Sequence, residues 1–377
     1  MEPRLPKWIR PAAISAVGVL LLAFVAFTWI ASNGIRDDFL VPQAATPEYD
    51  LEVLAIGGGR IVLPRTAQTE QEGIWGLAGR QAYGQLLTIV ALDEERVERG
   101  YLALEGDFAV GDRVHIDQYA YSGDPATALA ITFDDVRVVG QLGSYPAWFV
   151  DGDRDLWVIS VHGRGVDERP QVMRVLPMLV AEEVPVLAAS YRNDRGAPGS
   201  PSGLRSWGPE EWPDLEAAIQ FAVEEGAEEV VILAYGFGAE IVSVFLHESD
   251  LLPIVRGVIF DSPVLDLEAA VDRYLSERGF PGLIASAATA ITRLRYGVEW
   301  KDLDQVARAA QFDVPVLLMH GSSDEIAPLS TAEAFAAARP DLVTLEVFPG
   351  AGHELLWNAD RNRYERLVRE FLGPPAG

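Results

Sequence analysis

From about Ala147 to the C-terminus, continuous apolar segments alternate with amphipathic ones, and this alternation limits the fold more than any other feature of the chain. The apolar segments are Leu156 to Val161, Val186 to Ser190, Glu229 to Tyr235, Gly257 to Phe260, Val314 to His320 and Val343 to Phe348. Between them lie helical patterns such as Pro213 to Glu225, with Leu215, Ala218, Ile219 and Ala222 on one face. Strands that are apolar throughout are buried on both faces, so the pattern predicts an α/β, mostly parallel sheet covered by helices on both sides.

Several strand ends carry chemistry-bearing residues. The run from Glu229 to Val242 reads as a strand turning sharply into a helix, with Ala234, Gly236 and Gly238 around the turn. After the strand ending at His320 comes Gly321-Ser322-Ser323-Asp324-Glu325, and after the last strand comes Pro349-Gly350-Ala351-Gly352-His353-Glu354. Upstream, His162-Gly163-Arg164-Gly165 also follows a strand. Together, and in this order, these segments resemble the nucleophile elbow, acid loop, histidine loop and oxyanion loop of the α/β-hydrolase family over residues 147–372.

The resemblance implies that His353 is the base and Asp324 its orienting acid, with Gly163, Arg164 and Phe237 supplying oxyanion amides. It puts Gly236 where the family carries its serine. Glycine has no side chain to attack an acyl carbon, so no acyl-enzyme forms at this position. An elbow residue usually adopts positive φ, which glycine tolerates without strain. Ser243 lies too far beyond the turn to stand at the same point, Ser322 and Ser323 in the acid loop would need a different geometry, and Tyr191 and Arg192 are candidates to line a substrate pocket because they follow a strand end. His162, His320, His115 and His247 read as structural. These features imply a hydrolase-like protein impaired in acyl or ester hydrolysis that keeps a ligand pocket. The alternatives are an active hydrolase of ester, thioester or amide bonds using a water or another nucleophile, and an envelope scaffold. No cofactor is implied.

The N-terminus carries a second strong signal. Residues Ala12 to Ala31 contain no charge, and about 20 residues at ~1.5 Å each span a bilayer core of ~30 Å. Arg4, Lys7 and Arg10 precede the run while Arg36, Asp37 and Asp38 follow it, so a single-pass anchor would leave the N-terminus cytoplasmic and the rest of the chain outside. A cleaved signal peptide is the competing reading, although Thr28-Trp29-Ile30-Ala31 lacks a small-x-small cleavage site.

The expected organisation is a tail (1–11), a transmembrane helix (12–31), a linker (32–48), a small β-rich domain (49–145) and the hydrolase-like domain (146–375) with a helical cap at about 264–313. The β-rich assignment rests on short alternating runs at Ile61 to Leu63, Gln85 to Val90, Arg113 to Ile116 and Asp135 to Val139. Cysteine is absent from the sequence, which excludes disulfides and thiolate chemistry. A formal net charge of −26 argues against nucleic acid as a partner. The partners expected instead are the membrane, through the N-terminal helix, and a small-molecule or peptide ligand in the pocket. Lys7 and Lys301 are the only lysines beside many arginines and alanines, a bias expected of a GC-rich bacterial source.

Overall fold

The computed structural model describes residues 9–44, 46–166 and 169–374. Helix α1 (Ile9–Ile35) continues into one π-helical turn over Arg36–Leu40. Strands β1 (Leu51–Glu52), β2 (Ala55–Gly57), β3 (Arg60–Pro64), β4 (Trp75–Ala78), β5 (Tyr83–Leu92), β6 (Arg96–Glu105) and β7 (Arg113–Asp117) follow. Next come the short α2 (Pro125–Leu129) and a hairpin of β8 (Asp134–Gly140) and β9 (Gly143–Val150). The chain then runs through β10 (Leu156–Val161), α3 (Leu176–Ala181), β11 (Val186–Ala189), α4 (Trp212–Glu224), β12 (Glu229–Tyr235), α5 (Gly238–Glu248) and β13 (Val255–Asp261). It ends with α6 (Leu267–Glu277), α7 (Gly282–Tyr296), β14 (Val316–Gly321), α8 (Leu329–Ala338), β15 (Val343–Phe348), α9 (Leu356–Ala359) and α10 (Arg361–Leu372). These elements form two compact units, one joining the residues up to Val41 to Asp266–Asp304, the other holding Pro42–Leu265 and the residues from Gln305 onward.

In the larger unit one sheet has the order β15-β14-β13-β12-β10-β11-β9-β8, parallel from β11 to β15. Strands β10 and β14 are buried at every position because helices cover both faces. Residues of α4, α5 and α8 pack on one face, including Leu215, Val242 and Phe335. Those of α3, α9 and α10 pack on the other, including Leu179, Trp357 and Val368. The hairpin β8–β9 runs antiparallel along the edge. The sequence reading put residues up to 145 in the β-rich domain, but this hairpin pairs with β11, and Val138, Tyr145 and Ala147 enter the same core as α4. Period-two alternation identifies a strand without saying which sheet it joins.

The second sheet of this unit is antiparallel, in the order β1-β7-β4-β5-β6-β3-β2, and buries one face around Ile61, Leu63, Leu77, Leu86 and Val114. Within it the buried Arg99 has carbonyl oxygens as its partners. It donates to Leu87 O at 2.8 Å, Gln71 O at 2.6 Å and Gly73 O at 2.7 Å, and burial lowers its pKa to about 10. These bonds fix the loop between β3 and β4.

That loop is seated on the larger sheet through Asn358 of α9. Its amide nitrogen donates to Ile74 O and Gln118 O, both at 2.8 Å, while its oxygen accepts from Arg174 at 3.0 Å. A Cβ at Gly73 would overlap the Asn358 carbonyl, so only glycine permits this approach.

In the smaller unit Ala31 and Ile35 of α1 and Ala285 and Ala288 of α7 are buried, whereas Leu20, Leu22 and Val25 of α1 are exposed. Residues 32–40, expected as an irregular linker, are helical: Thr292 of α7 donates to Ser32 at 2.9 Å, and Phe39 packs edge-on to Tyr274 of α6 at 5.2 Å. Helices α6 and α7 occur where the pattern placed helical runs, α6 starting from an Asp266 cap at 2.9 Å and α7 ending at a left-handed Gly297. Among the described residues one helical stretch, Val17–Leu40, is long and apolar enough to cross a membrane. Arg4 and Lys7, which carry the expected orientation, lie outside the described residues.

Replacing Asn358 by alanine removes the hydrogen bonds to two part-buried carbonyls and one of the two bonds that Arg174 Nη1 donates, the other going to Glu354 O, so Asn358→Ala should destabilise the larger unit by about 1–3 kcal/mol. Urea unfolding of the detergent-solubilised chain measures it; a loss too small to resolve would mean that the seat of the second sheet does not depend on these bonds.

Candidate active site

Strand β12 is followed by Gly236, whose φ of +47° is a left-handed conformation that glycine adopts without strain. Its amide donates to Asp261 O at 2.9 Å, tying the turn to β13. A Cβ at Gly238 would stand 2.5 Å from His162 O, so α5 begins hard against the end of β10. The turn is therefore as tight as an elbow requires.

The acid and the histidine meet this turn. Asp324 Oδ1 accepts the amides of Ile326 and Ala327 at 2.8 Å each, which aims Oδ2 at His353 Nδ1, also at 2.8 Å. His320 Nε2 lies 3.5 Å from the same oxygen and 3.1 Å from Ala327 O. Burial works to raise the pKa of Asp324, but the hydrogen bond and charge of His353 outweigh it and hold the carboxyl below its usual range. For His353, burial works to lower the pKa. The Asp324 bond and the Glu354 and Asp324 charges prevail and hold it above its ordinary value. A Cβ at Gly236 would stand 2.9 Å from His353 Nε2. Gly236, Asp324 and His353 are thus brought together.

The space in front of Gly236 is filled. The same Cβ would overlap Glu354 Oε1, and so would a Cβ at Gly163, so this oxygen lies between the elbow and the oxyanion loop. Gln171 holds the other carboxylate oxygen, Nε2 donating to Glu354 Oε2 at 2.6 Å, and its own Oε1 accepts the Gly163 amide at 2.9 Å. Ser262 Oγ accepts the Glu354 amide at 2.9 Å and donates to Asp261 at 3.0 Å, while Arg174 donates to Glu354 O at 2.6 Å. Glu354 and Ser262 have φ of 56° and 51°, left-handed backbone that costs a residue with a side chain roughly 1–3 kcal/mol. Burial raises the pKa of Glu354, against the lowering effect of His353 3.8 Å away.

The other expected site residues are placed as follows. Phe237 is the residue before α5, its ring 4.7 Å from that of Trp207 and 6.4 Å from that of His353. Arg164 is exposed on the loop after β10. Gly163 is beside the elbow, with its amide engaged by Gln171. Tyr191 and Arg192, expected to line a pocket, are both buried. Tyr191 is buried, stacks on His162 at 4.3 Å and donates to Gly163 O at 2.7 Å. Arg192 is paired with Asp214, its Nε and Nη2 donating at 2.8 and 2.9 Å. His162 is likewise structural, with Nε2 2.7 Å from Asp194.

A cleft of about 580 Å³ opens onto His353. One wall comes from the antiparallel sheet's loop through Gln71, Glu72 and Trp75, the other from Ser323, Glu325, Ile326 and the turn Pro349–Gly352. The carboxylate of Glu354 is behind His353 and 8% exposed.

The family described as "alpha/beta hydrolase fold" matches residues 283–360, and a domain of unknown function (DUF8805) matches 52–117. An esterase of Pyrococcus furiosus superposes with a TM-score of 0.54 at 20% identity, covering 66% of this chain and 93% of its own. The chain has the α/β-hydrolase fold. A puromycin hydrolase is also similar, with a TM-score of 0.51 at 20% identity over 89% of this chain and 49% of its own. Among curated proteins none matches the sequence. The chain order of β12, α5, β14 and β15 agrees with that fold.

Sequence reasoning missed Glu354, Gln171, Arg174, Asp261 and Ser262. The signal for Glu354 was a charged residue beside the histidine in a loop otherwise made of small residues.

Glu354 and His353 both hold their protons more tightly in the folded chain, so the folded state binds more protons and loses stability as pH rises. The Glu354 part is lost above its ordinary value of 4.5, the His353 part above 6.5. Asp324, with a lowered pKa, acts in a different window, losing stability only as pH falls below its ordinary value of 3.8. Thermal unfolding of Glu354→Gln should therefore show a shallower loss between about pH 5 and pH 8 than the unaltered chain. Parallel profiles would refute the assignment.

Proposed function

We propose that this chain is a hydrolase-fold protein that has given up serine-based acyl transfer and uses the cleft beside His353 to bind a small molecule or peptide at the cell surface, held there by α1 with its N-terminus in the cytoplasm. The observation that carries this reading is the carboxylate of Glu354 standing in front of Gly236. Acyl transfer needs a nucleophile and donors aimed at a developing negative charge. Here the side chain of the nucleophile is missing, one expected donor is engaged by Gln171, and a carboxyl oxygen occupies the place where side chains on Gly236 and Gly163 would stand. Such a site favours a neutral or cationic group over a tetrahedral oxyanion.

A second reading has one observation in its favour: the Asp324–His353 hydrogen bond is intact, and a water in the cleft would lie within reach of the imidazole. Ester hydrolysis of that kind would be slow, since subtilisin variants without triad members retain only ~10³–10⁴-fold acceleration over water. It would also disappear in His353→Ala.

A fluorophosphonate probe applied to the detergent-solubilised full chain separates these outcomes from ordinary serine catalysis. The unaltered chain should not label. Stoichiometric labelling that one serine substitution abolishes would overturn the proposal. Gly236→Ser alone should also stay unlabelled, because its Cβ meets Glu354 Oε1 and its positive φ costs roughly 1–3 kcal/mol. In Gly236→Ser combined with Glu354→Gly the obstruction is gone and residue 354 tolerates left-handed backbone, so labelling should appear. Labelling of Gly236→Ser alone would show that Glu354 does not block the elbow.

A further inference from the structure

Helix α7 runs back along α1. Just before its start, Arg278 pairs with Asp38 at 3.5 Å. Near its end, Thr292 donates to Ser32 at 2.9 Å and Arg295 donates to Ser32 and Asn33 at 3.0 and 2.9 Å. The Arg295 guanidinium also covers the Trp29 ring, 3.8 Å from its centroid. The last turn of α7 thus lies level with residues 29–33, where the apolar run of α1 ends. Leu283, near the other end of the helix, is ~16 Å further from that run at ~1.5 Å per residue.

The groups at this level are those found at a membrane surface. Leu294 is 85% exposed, and Trp29 and Ile30 of α1 are 50% and 56% exposed. Arg295 lies beside them, as does Arg293, paired with Glu299 at 2.7 Å. Leu283, at the other end of α7, is 74% exposed as well, so what sets Leu294 apart is its level beside the end of the apolar run of α1. At the boundary of a bilayer, leucine enters the acyl region while tryptophan and arginine occupy the headgroup layer.

We propose that the last turn of α7, with Leu294 at its tip and Arg295 stacked on Trp29, is seated in the headgroup region of the bilayer that α1 crosses, so that the smaller unit meets lipid through two helices. This rests on the reading of α1 as a membrane-spanning helix, and on a partner defined by chemistry: the interface of a phospholipid bilayer.

Because the chain has no cysteine, single spin labels can be placed without other changes. The full chain carrying Leu294→Cys, Leu283→Cys or Val25→Cys is labelled and reconstituted into phosphatidylcholine–phosphatidylglycerol vesicles. Relaxation by oxygen, which partitions into lipid, is compared with relaxation by a water-soluble nickel chelate. Oxygen should dominate at 294 and at 25, and the chelate at 283. Chelate dominance at 294 with oxygen dominance at 25 would overturn the seating of α7 while leaving the anchor in place. Chelate dominance at 25 would remove the anchor, and the seating of α7 with it.

Discussion

A carboxylate held in a dry pocket between two glycines is the constraint on which the rest of this site depends. Glu354 Oε1 lies where side chains on Gly236 and Gly163 would lie, so neither position can carry one while the glutamate is in place. Keeping it there takes a hydrogen bond from Gln171, a left-handed backbone at residue 354 and a second left-handed residue, Ser262, to receive its amide. Strain of this kind persists only when surrounding contacts over-determine it. The surrounding contacts are Arg174 on the Glu354 carbonyl and Asp261 on Ser262. The elbow, the oxyanion loop and the histidine loop are consequently one interlocked structure.

Much of this could be read from the sequence, and what could be read was local. Apolar strands, the glycines around Gly236, the turn at Asp324 and the loop at His353 each declare themselves within a few residues, and their order along the chain fixes the sheet. What could not be read depends on contacts across the sheet. Arg192 and Tyr191 read only as residues after a strand end; that Arg192 is held by Asp214, 22 positions later, and that Tyr191 supports His162 and Gly163 is not visible in the segment itself. The linker after α1 reads as irregular because the partners that keep it helical, Tyr274 and Thr292, are more than 230 positions away. Glu354 was visible as a charge beside the histidine, but its place depends on residues 163, 171, 236 and 262 meeting in space.

The electrostatics of the site follow from the same arrangement. His353 is flanked by two carboxylates, Asp324 at Nδ1 and Glu354 on the side of Nε2. In a serine hydrolase the second nitrogen must be free of a proton to act as a base. Here the Asp324 hydrogen bond and the neighbouring acids hold the imidazole's pKa above its ordinary value, which disfavours the free base.

The seat of the antiparallel sheet on Asn358 has a consequence for how such a protein can change over evolutionary time. The loop that walls the cleft is fixed from one side by Arg99, which belongs to the sheet, and from the other by an asparagine five residues after the histidine, which belongs to the hydrolase fold. A recombination event that exchanged the sheet for an unrelated module would leave the Asn358 amide and the Gly73 contact without counterparts. The two modules are therefore expected to be inherited as a pair, diverging together at this seam while their outer surfaces vary independently.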